Sequence, residues 1–352
     1  MQQNDLVSII IATYNSEKIL PKVLKALRAQ SYPQDCMEIL LVDGGSTDGT
    51  KALADEFGCI WLNNPKTEPV HAKLLGIQQA KGKYAIFVDH DEVFENRDSI
   101  LIRVQAMQKH TECKAAFLSG YKRPPHYPAL NQYISDYGDP FSLFIYNCPK
   151  DWKFWGKWLK KHYHVVEEHK NYMLLSFADM KKMPLVELVC AGTMMDLSYF
   201  KKETKVEKDS SELVHLFYVM LNKGKTTVVV SKNDPLLHYS VDSLKAYFPK
   251  LKWRICNNIH YQEKGEKGFS GRLQYQSSLQ FKKYLFLPYA LLFPIPFIHG
   301  CYLALQRKNG AYLLHGVFCV YVVFQIIWQM CLKILGIVPA FRSYDGKKKI
   351  ER

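Results

Sequence analysis

The first hundred residues run in alternating blocks, an apolar stretch followed by a polar turn and then by apolar positions at helical spacing. Residues 7–12 (VSIIIA) are a β-branched run, and Leu20, Val23, Leu24 and Leu27 follow with a period of three to four. These patterns predict a strand and then an amphipathic helix, which Asn15 or Ser16 is placed to cap. Residues 37–43 (MEILLVD) predict a second strand, and the turn GGSTDGT leads into a helix over 51–58. A short third strand (59–64, CIWLNN) precedes a helix around 71–81, and YAIFVD (84–89) predicts the fourth strand. Apolar strands separated by amphipathic helices imply a parallel sheet covered on both faces. In such sheets ligands bind outside the carboxyl ends of the strands. The motifs ATYN, DGGSTDGT and DHDE each begin at one of those ends.

Between 115 and 240 the pattern is less regular, with an acidic-start helix expected over 209–224 and a strand at 226–230. The last hundred residues change character. Residues 243–283 are basic with interspersed aromatics, and 284–305 and 311–332 are two runs of 22 residues without Asp, Glu, Lys or Arg. About 20 apolar residues cross a bilayer, so a transmembrane helical hairpin is expected. Lys282, Lys283, Lys347, Lys348 and Lys349 would lie on the cytoplasmic side, with Arg307 and Lys308 in the link arguing the other way. Prolines 288, 294 and 296 also allow a re-entrant path, and a buried hairpin of a soluble domain is the alternative. The expected organisation is a catalytic domain over 1–240 (halves 1–115 and 116–240), a basic juxtamembrane segment 241–283, two transmembrane helices within 284–341 and a basic tail 342–352.

The formal net charge of +14 points to an anionic partner: nucleic acid, anionic lipid or a phosphorylated small molecule. The two apolar runs favour lipid over nucleic acid. Nine scattered cysteines, with no C-x-x-C pair and no zinc-type His/Cys spacing, read as reduced and mostly buried thiols. The first residues lack the pattern of a signal peptide, so the catalytic part is expected on the cytoplasmic face.

Tyr14 can offer a flat face to a base, and Asp43 can accept a hydrogen bond from a base or ribose. Gly44, Gly45 and Ser46 permit a tight turn, although DGGSTDGT also suits an Asx-type turn with a helix cap. Asp89 and Asp91, one residue apart, can direct two carboxylates at a hard cation such as Mg²⁺ or Mn²⁺. Glu92 reads as a solvated neighbour.

In this order, VSIIIATYN (7–15), EILLVDGGSTDGT (38–50), HAKLLG (71–76) and KGKYAIFVDHD (81–91) resemble the family 2 inverting glycosyltransferases of GT-A fold, in their membrane-anchored bacterial or archaeal form. The resemblance is strong over roughly 5–100 and thinner to about 240. It implies an α/β, Rossmann-like nucleotide-diphospho-sugar transferase domain. It implies donor binding by Ala12, Tyr14, Asp43, Gly44, Lys73, Asp89 and His90, and a metal held by Asp91, Asp89 and His238. Gly44 stands where the family often has a second Asp, and Lys73 where it often has Arg, which keeps the charge and loses the bidentate fork. An inverting transferase needs a general base. The candidates are Asp209 and Glu212 in EKDSSEL, which also reads as a capping-box-like helix start. Cys190–Thr193 resembles the family's acceptor-side turn.

Trp152, Trp155, Trp158 and Leu159 fall at helical spacing beside Lys150, Lys153, Lys157, Lys160 and Lys161. That suits a helix in the headgroup region, with a core-packed aromatic face as the alternative. The function expected is transfer of a sugar from a nucleotide diphosphate, a UDP-sugar foremost, to a lipid-linked oligosaccharide in cell-surface glycan assembly. A polyprenyl-phosphate glycosyltransferase and a non-catalytic nucleotide-sugar-binding membrane protein are the alternatives.

Overall fold

The computed structural model describes residues 4–180, 184–208, 210–261, 275 and 277–340. Four strands, β1 (Val7–Thr13), β2 (Met37–Asp43), β3 (Ile60–Asn63) and β4 (Tyr84–Asp89), pair in parallel in the order β3-β2-β1-β4. Three helices connect them: α1 (Leu20–Arg28), α2 (Thr50–Glu56) and α3 (Pro69–Gln79). The periodic residues Leu20, Val23, Leu24 and Leu27 are the ones α1 buries. On α3, a Cβ at Gly76 would lie 2.3 Å from Ile10 Cγ2, so glycine is what lets this helix sit against β1.

Neither Asn15 nor Ser16 caps α1, which has no side-chain cap. Both side chains are spent elsewhere: Asn15 Oδ1 accepts from Thr47 N at 2.9 Å, and Ser16 Oγ accepts from Tyr14 N at 3.2 Å.

The remaining strands and helices are β5 (Glu92–Phe94), α4 (Ser99–Lys109), β6 (Ala115–Phe117), β7 (Tyr121–Lys122), α5 (Ala129–Tyr137), α6 (Pro140–Tyr146), α7 (Trp155–His162), β8 (His164–Glu168), β9 (Tyr172–Ser176), β10 (Met194–Asp196), α8 (Leu197–Glu203), α9 (Leu216–Asn222), β11 (Thr227–Ser231), β12 (Leu236–His238), α10 (Leu244–His260), α11 (Ser277–Leu291), α12 (Ile295–Arg307) and α13 (His315–Ile334). The sheet is not parallel throughout. Its nine strands run β3-β2-β1-β4-β10-β6-β11-β9-β8, and β10 is antiparallel to both β4 and β6. The chain reaches β10 from the β8–β9 hairpin rather than through a βαβ crossover, and antiparallel pairing needs no such crossover. A second sheet, β5-β12-β7, has three strands.

The described chain forms two compact units that are not consecutive in sequence. One contains Met1–Lys122, Asp151–Lys182 and Val186–Tyr239; the other contains Arg123–Lys150, Met183–Leu185 and Ser240–Arg352. The first unit's core joins β1, β2 and β4 to α1 and α4 through Ile9, Ile11, Ile39, Val88 and Val104. The second is built around an aromatic core that includes Tyr133, Tyr247, Phe286, Tyr312 and Phe318.

Three expectations are corrected in these regions. The aromatic face of α7 is core-packed: Trp155 and Leu159 are buried, and the exposed side carries Lys157 and Lys160. Trp155 and Leu159 are thereby taken into the protein, while Trp152 and Trp158 stay half-buried. Over 210–222 one continuous helix gives way to a 3-10 segment, Ser210–His215, followed by α9. All nine cysteines are free thiols, but only Cys113, Cys148 and Cys319 are buried.

In the second unit the first apolar run does not form one straight helix. Phe281–Leu291 and Ile295–Arg307 meet at 93°, with Pro288 inside α11 and Pro294 preceding α12. Among the described residues, the stretch Gly310–Ile334, 25 residues, is long and apolar enough to cross a membrane. Lys347, Lys348 and Lys349 lie outside the described residues.

Candidate active site

Parallel register brings the three motifs level. Thr13 pairs with Asp43 and Ala12 with Asp89, so β1, β2 and β4 end together. The first two loops are laced to each other: Asn15 N donates to Ser46 Oγ at 2.7 Å, Gly49 N to Glu17 Oε2 at 2.7 Å and Gly44 N to Thr13 O at 2.9 Å. Asp43 is 2% exposed and spends its carboxylate on this turn. It accepts from Gly45 N at 2.8 Å, Ser46 N at 2.7 Å and Thr13 Oγ1 at 3.1 Å. Gly45 has φ +91°, a conformation that favours glycine. Gly44 is different: a Cβ there would meet Thr67 Cα at 3.4 Å, an ordinary contact, so the position has room for a side chain.

The acidic motif separates into three unlike carboxyls. Asp89, its side chain 40% exposed, faces the ammonium of Lys73 at 3.3 Å. Lys73 comes from α3 and is buried; burial alone would pull its pKa down, but the charges of Asp89, Cys190 and Glu92 more than offset that and raise it. Asp91 faces His238 of β12, with Oδ2 and Nε2 3.7 Å apart. Its carbonyl accepts from Tyr239 N at 2.7 Å.

Glu92 is not a solvated neighbour. It is 1% exposed, because it opens β5 opposite His238 in the small sheet. Its oxygens accept from Tyr121 Oη at 2.6 Å and Asp89 N at 3.1 Å. Burial first, and the charge of Asp89 second, push its pKa up to about 8. Tyr121 also stacks on His238, ring centroids 4.5 Å apart. Burial, then the charge of Glu92, push the Tyr121 phenol well above its ordinary range.

The separation of Asp91 and His238, 3.7 Å, is slightly wider than two ligands sharing one divalent cation need. Two ligands on one ion with bonds of roughly 2.1 Å stand about 3–3.5 Å apart. The pairing of carboxylate with imidazole is more at home on Mn²⁺ than on Mg²⁺, which prefers oxygen throughout.

Behind the site, Arg103 is fully buried on α4. It donates to Gly192 O, to Ser99 O at 3.1 Å and to Ser99 Oγ at 3.3 Å. Burial, partly countered by Asp234, lowers its pKa to about 10. Its Gly192 contact fixes the turn Cys190–Thr193, in which Ala191 and Gly192 have φ +55° and +62°. A Cβ at Gly192 would lie 2.5 Å from Leu118 Cδ1.

Tyr121, Glu92 and Arg103 were not found from sequence. The signal for Arg103 was a charged residue among the apolar positions of SILIRVQAM; Tyr121 sits on a two-residue strand that leaves no periodic trace. His90 is half-buried in the turn between Asp89 and Asp91, and Ala12 and Tyr14 are half-buried at the end of β1. Glu212 sits in the 3-10 segment and accepts from Lys205 N at 3.5 Å. Asp209 lies outside the described residues.

A distant side-chain cluster also escaped sequence spacing. His110, Glu167 and His169 each offer a ligand atom within 4.8 Å of the others. They are engaged by protein partners, His110 Nε2 with Tyr172 Oη at 3.1 Å and His169 Nε2 with Glu167 Oε2 at 2.9 Å, and brace the β8–β9 hairpin against the end of α4.

The first unit is thus an α/β domain with the pairs Lys73–Asp89 and Asp91–His238 gathered at the carboxyl ends of parallel strands. The model of the family described as "Glycosyl transferase family 2" matches residues 8–194, just over half of the chain, and the chain belongs to that family. The glycosyltransferase AglE of Haloferax volcanii is 36% identical over 91 residues, 24% of this chain and 30% of that protein. A Methanococcus voltae protein named dolichyl N-acetyl-alpha-D-glucosaminyl phosphate 3-beta-D-2,3-diacetamido-2,3-dideoxy-beta-D-glucuronosyltransferase is 34% identical over 155 residues, 41% of this chain and 45% of that one. The chain therefore spans less than half the length of either relative. Among solved structures, a Pyrobaculum calidifontis mannosyltransferase in complex with GDP-Man and Mn²⁺ superposes with TM-score 0.51 at 13% identity, over 93% of this chain and 88% of that one, which establishes a GT-A-like fold.

Proposed function

We propose that the chain is an inverting glycosyltransferase that takes a sugar from a nucleotide diphosphate, a UDP-sugar foremost, and places it on a lipid-linked oligosaccharide at the cytoplasmic face of a membrane. The observation that carries the proposal is the paired arrangement of Lys73 with Asp89 and Asp91 with His238 at the strand ends of a glycosyl transferase family 2 domain. Asp91 and His238, with Asp89 beside them, would hold Mg²⁺ or Mn²⁺. When bound, that ion supplies positive charge for the donor's diphosphate and eases its departure. Tyr14, Ala12, Asp43 and Gly44 shape the wall against the nucleoside; His90 lines the donor turn.

Lys73 adds a second positive charge to the donor site and keeps Asp89 from repelling a diphosphate. Glu92 and Tyr121 fix the acidic turn from below through Asp89 N and the His238 ring. The proton of the acceptor hydroxyl goes to an acidic group at the start of the 210–222 segment, Asp209 or Glu212. The lipid-linked acceptor is supported by the apolar surface of the second unit, where Phe281, Phe293, Leu305 and Ile334 are among the exposed residues. It is also supported by the name of the Methanococcus relative, which specifies a dolichyl-phosphate-linked sugar.

The test is a panel of nucleotide sugars incubated with the full chain and a membrane lipid extract, the product identified by mass, with Asp91→Ala in parallel. A sugar-extended polyprenyl diphosphate, lost in the variant, is the expected product. A single sugar on polyprenyl phosphate would overturn the acceptor assignment. Equal turnover by Asp91→Ala would overturn the metal site, and nucleotide-sugar binding with neither transfer nor hydrolysis would overturn the enzyme.

A further inference from the structure

The second unit contains the apolar helix α13, and two sets of contacts within that unit decide how such a helix can meet a bilayer. The first concerns its neighbour. Tyr321 Oη donates to Phe248 O at 3.2 Å, His260 Nε2 meets Gln329 Oε1 at 3.1 Å and Lys333 Nζ donates to Ile259 O at 2.9 Å. The contact points ascend together, so α10 and α13 lie side by side and run the same way. Yet α10 carries Lys245, Lys250, Lys252 and Arg254. A perpendicular α13 would drag those cations through hydrocarbon, where charged side chains are strongly disfavoured.

The second set concerns the link between the two apolar runs. A hairpin that crosses the membrane would leave this link on the far side. Instead Arg307 is buried and donates to Asp136 at 2.9 Å and to Tyr137 Oη at 2.6 Å, while Asn309 Nδ2 donates to Ala129 O at 3.0 Å and Gln132 Oε1 at 2.8 Å. These four partners lie on α5, a helix with a buried Asp and a buried Asn. Together with the 93° bend between α11 and α12, this leaves no straight path through a bilayer for the first run.

Still, α13 is apolar on both sides. Phe318, Cys319, Val322 and Val323 are buried on the protein, whereas Val317, Phe324, Ile327 and Ile334 are uncovered, Phe324 at 66% and Ile334 at 80% exposure. We propose that the second unit attaches in the plane of the membrane, its uncovered α11–α13 side chains entering one leaflet and the lysines of α10 meeting anionic headgroups, with none of the described helices crossing. An in-plane helix of this kind combines an inserted apolar face with flanking cations. The proposal replaces the multi-pass hairpin expected from composition. It names the membrane partner of the proposed transferase but does not depend on donor chemistry, so transfer can fail while the attachment stands.

The experiment adds the full chain to sealed vesicles of phosphatidylcholine with phosphatidylglycerol. Spin labels at Val317, Phe324 and Cys331, spaced by seven residues and so on one helix face, report depth from oxygen and nickel-chelate accessibility in a chain otherwise cleared of reactive cysteines. Neighbouring labels are about 10 Å apart along the axis. Equal, shallow depths are expected. In parallel, the unmodified chain is treated from outside with an impermeant acylating reagent, and Lys308, in the link, is expected to be modified as fully as Lys245. The double variant Lys245→Gln, Lys252→Gln should weaken binding to phosphatidylglycerol vesicles roughly 10–30-fold. A depth maximum at Phe324 with Lys308 protected would overturn the proposal in favour of a span. Three water-exposed labels, with binding indifferent to phosphatidylglycerol and a concentration-dependent dimer, would overturn it in favour of a second copy covering the face.

Discussion

Tyr121→Phe removes one oxygen atom and isolates the reasoning about the buried acidic support. The hydroxyl donates to Glu92 at 2.6 Å, and the ring below it stacks on His238 at 4.5 Å between centroids. Phenylalanine retains the stack and deletes only the donor. Glu92 is 1% exposed, so water cannot take the place of the lost hydroxyl. Leaving a buried acceptor without its donor costs about 1–3 kcal/mol. In a folding unit of this size each kcal/mol lowers Tm by roughly 2–4 °C, which puts the expected drop at roughly 2–12 °C. The assay is differential scanning of the full chain in detergent, paired with a Mn²⁺ titration of donor binding. Because His238 keeps its ring partner, the Mn²⁺ midpoint should move less than about threefold, whereas Tyr121→Leu, which deletes donor and stack together, should shift both readouts. A Tm within 1 °C of the parent would refute the claim that Glu92 depends on this hydroxyl. An unchanged Mn²⁺ midpoint in Tyr121→Leu would refute the claim that the ring positions His238.

Four other outcomes follow from the same geometry. Asp91→Asn should leave the fold intact and lower transfer at least about 100-fold, since an amide offers a cation far less charge than a carboxylate; activity within tenfold of the parent would exclude Asp91 as the principal ligand. Of Asp209→Asn and Glu212→Gln, the one that removes the base should lower kcat by about 10²–10⁴ with KM little changed, and the other should stay within a few-fold; a pH–rate profile separates the two from loss of fold. Gly76→Ala should destabilise by about 1–3 kcal/mol through overpacking, because its Cβ would stand 2.3 Å from Ile10 Cγ2; unchanged chemical denaturation would show that α3 can retreat from β1. Burial lowers the pKa of His215. A histidine held neutral in the fold contributes its full stability above its unfolded pKa near ~6.5 and loses it as pH falls below that value. His215→Phe should therefore gain on the parent as pH drops below ~6.5, and parallel stability curves would contradict it.

What the sequence disclosed and what it hid divide along physical lines. β1 to β4 were legible because each is an apolar run, and the helices between them because α1 shows a clean amphipathic period. The motifs at their ends were legible because parallel strands of matched register place their carboxyl ends together. The antiparallel β10 was not, since it is three residues long and takes its direction from a route through a distant hairpin. The same holds for α7. Its Trp155 and Leu159 have the spacing of any amphipathic helix, and whether such a face meets lipid or protein depends on what packs against it. Composition alone likewise cannot decide between a transmembrane hairpin and an in-plane attachment, because an apolar window records the outer face of α13 and its buried face as equal. The Arg307–Asp136 pair and the basic companion α10 are tertiary facts.

The acidic turn shows how far local reading can mislead even where it finds the right place. Asp89, Asp91 and Glu92 look like three negative charges within four residues of a basic chain. In the fold they are unlike groups. Asp89 is matched by Lys73 at 3.3 Å. Glu92 is sealed between Tyr121 and the backbone of Asp89, where burial first and the charge of Asp89 second raise its pKa. Asp91 faces His238 at 3.7 Å, and on the proposed function this is the pair that would hold the ion. A cluster that kept all three charges would bind a cation more tightly but would repel the diphosphate that the same ion has to meet. Matching Asp89 with a buried lysine and raising the pKa of Glu92 both lessen the local negative charge, which on the proposed function would leave the site attractive to both. On the proposed function that arrangement would favour a metal–nucleotide pair over a metal alone, and it rests on Glu92 being buried, which no spacing rule could have told.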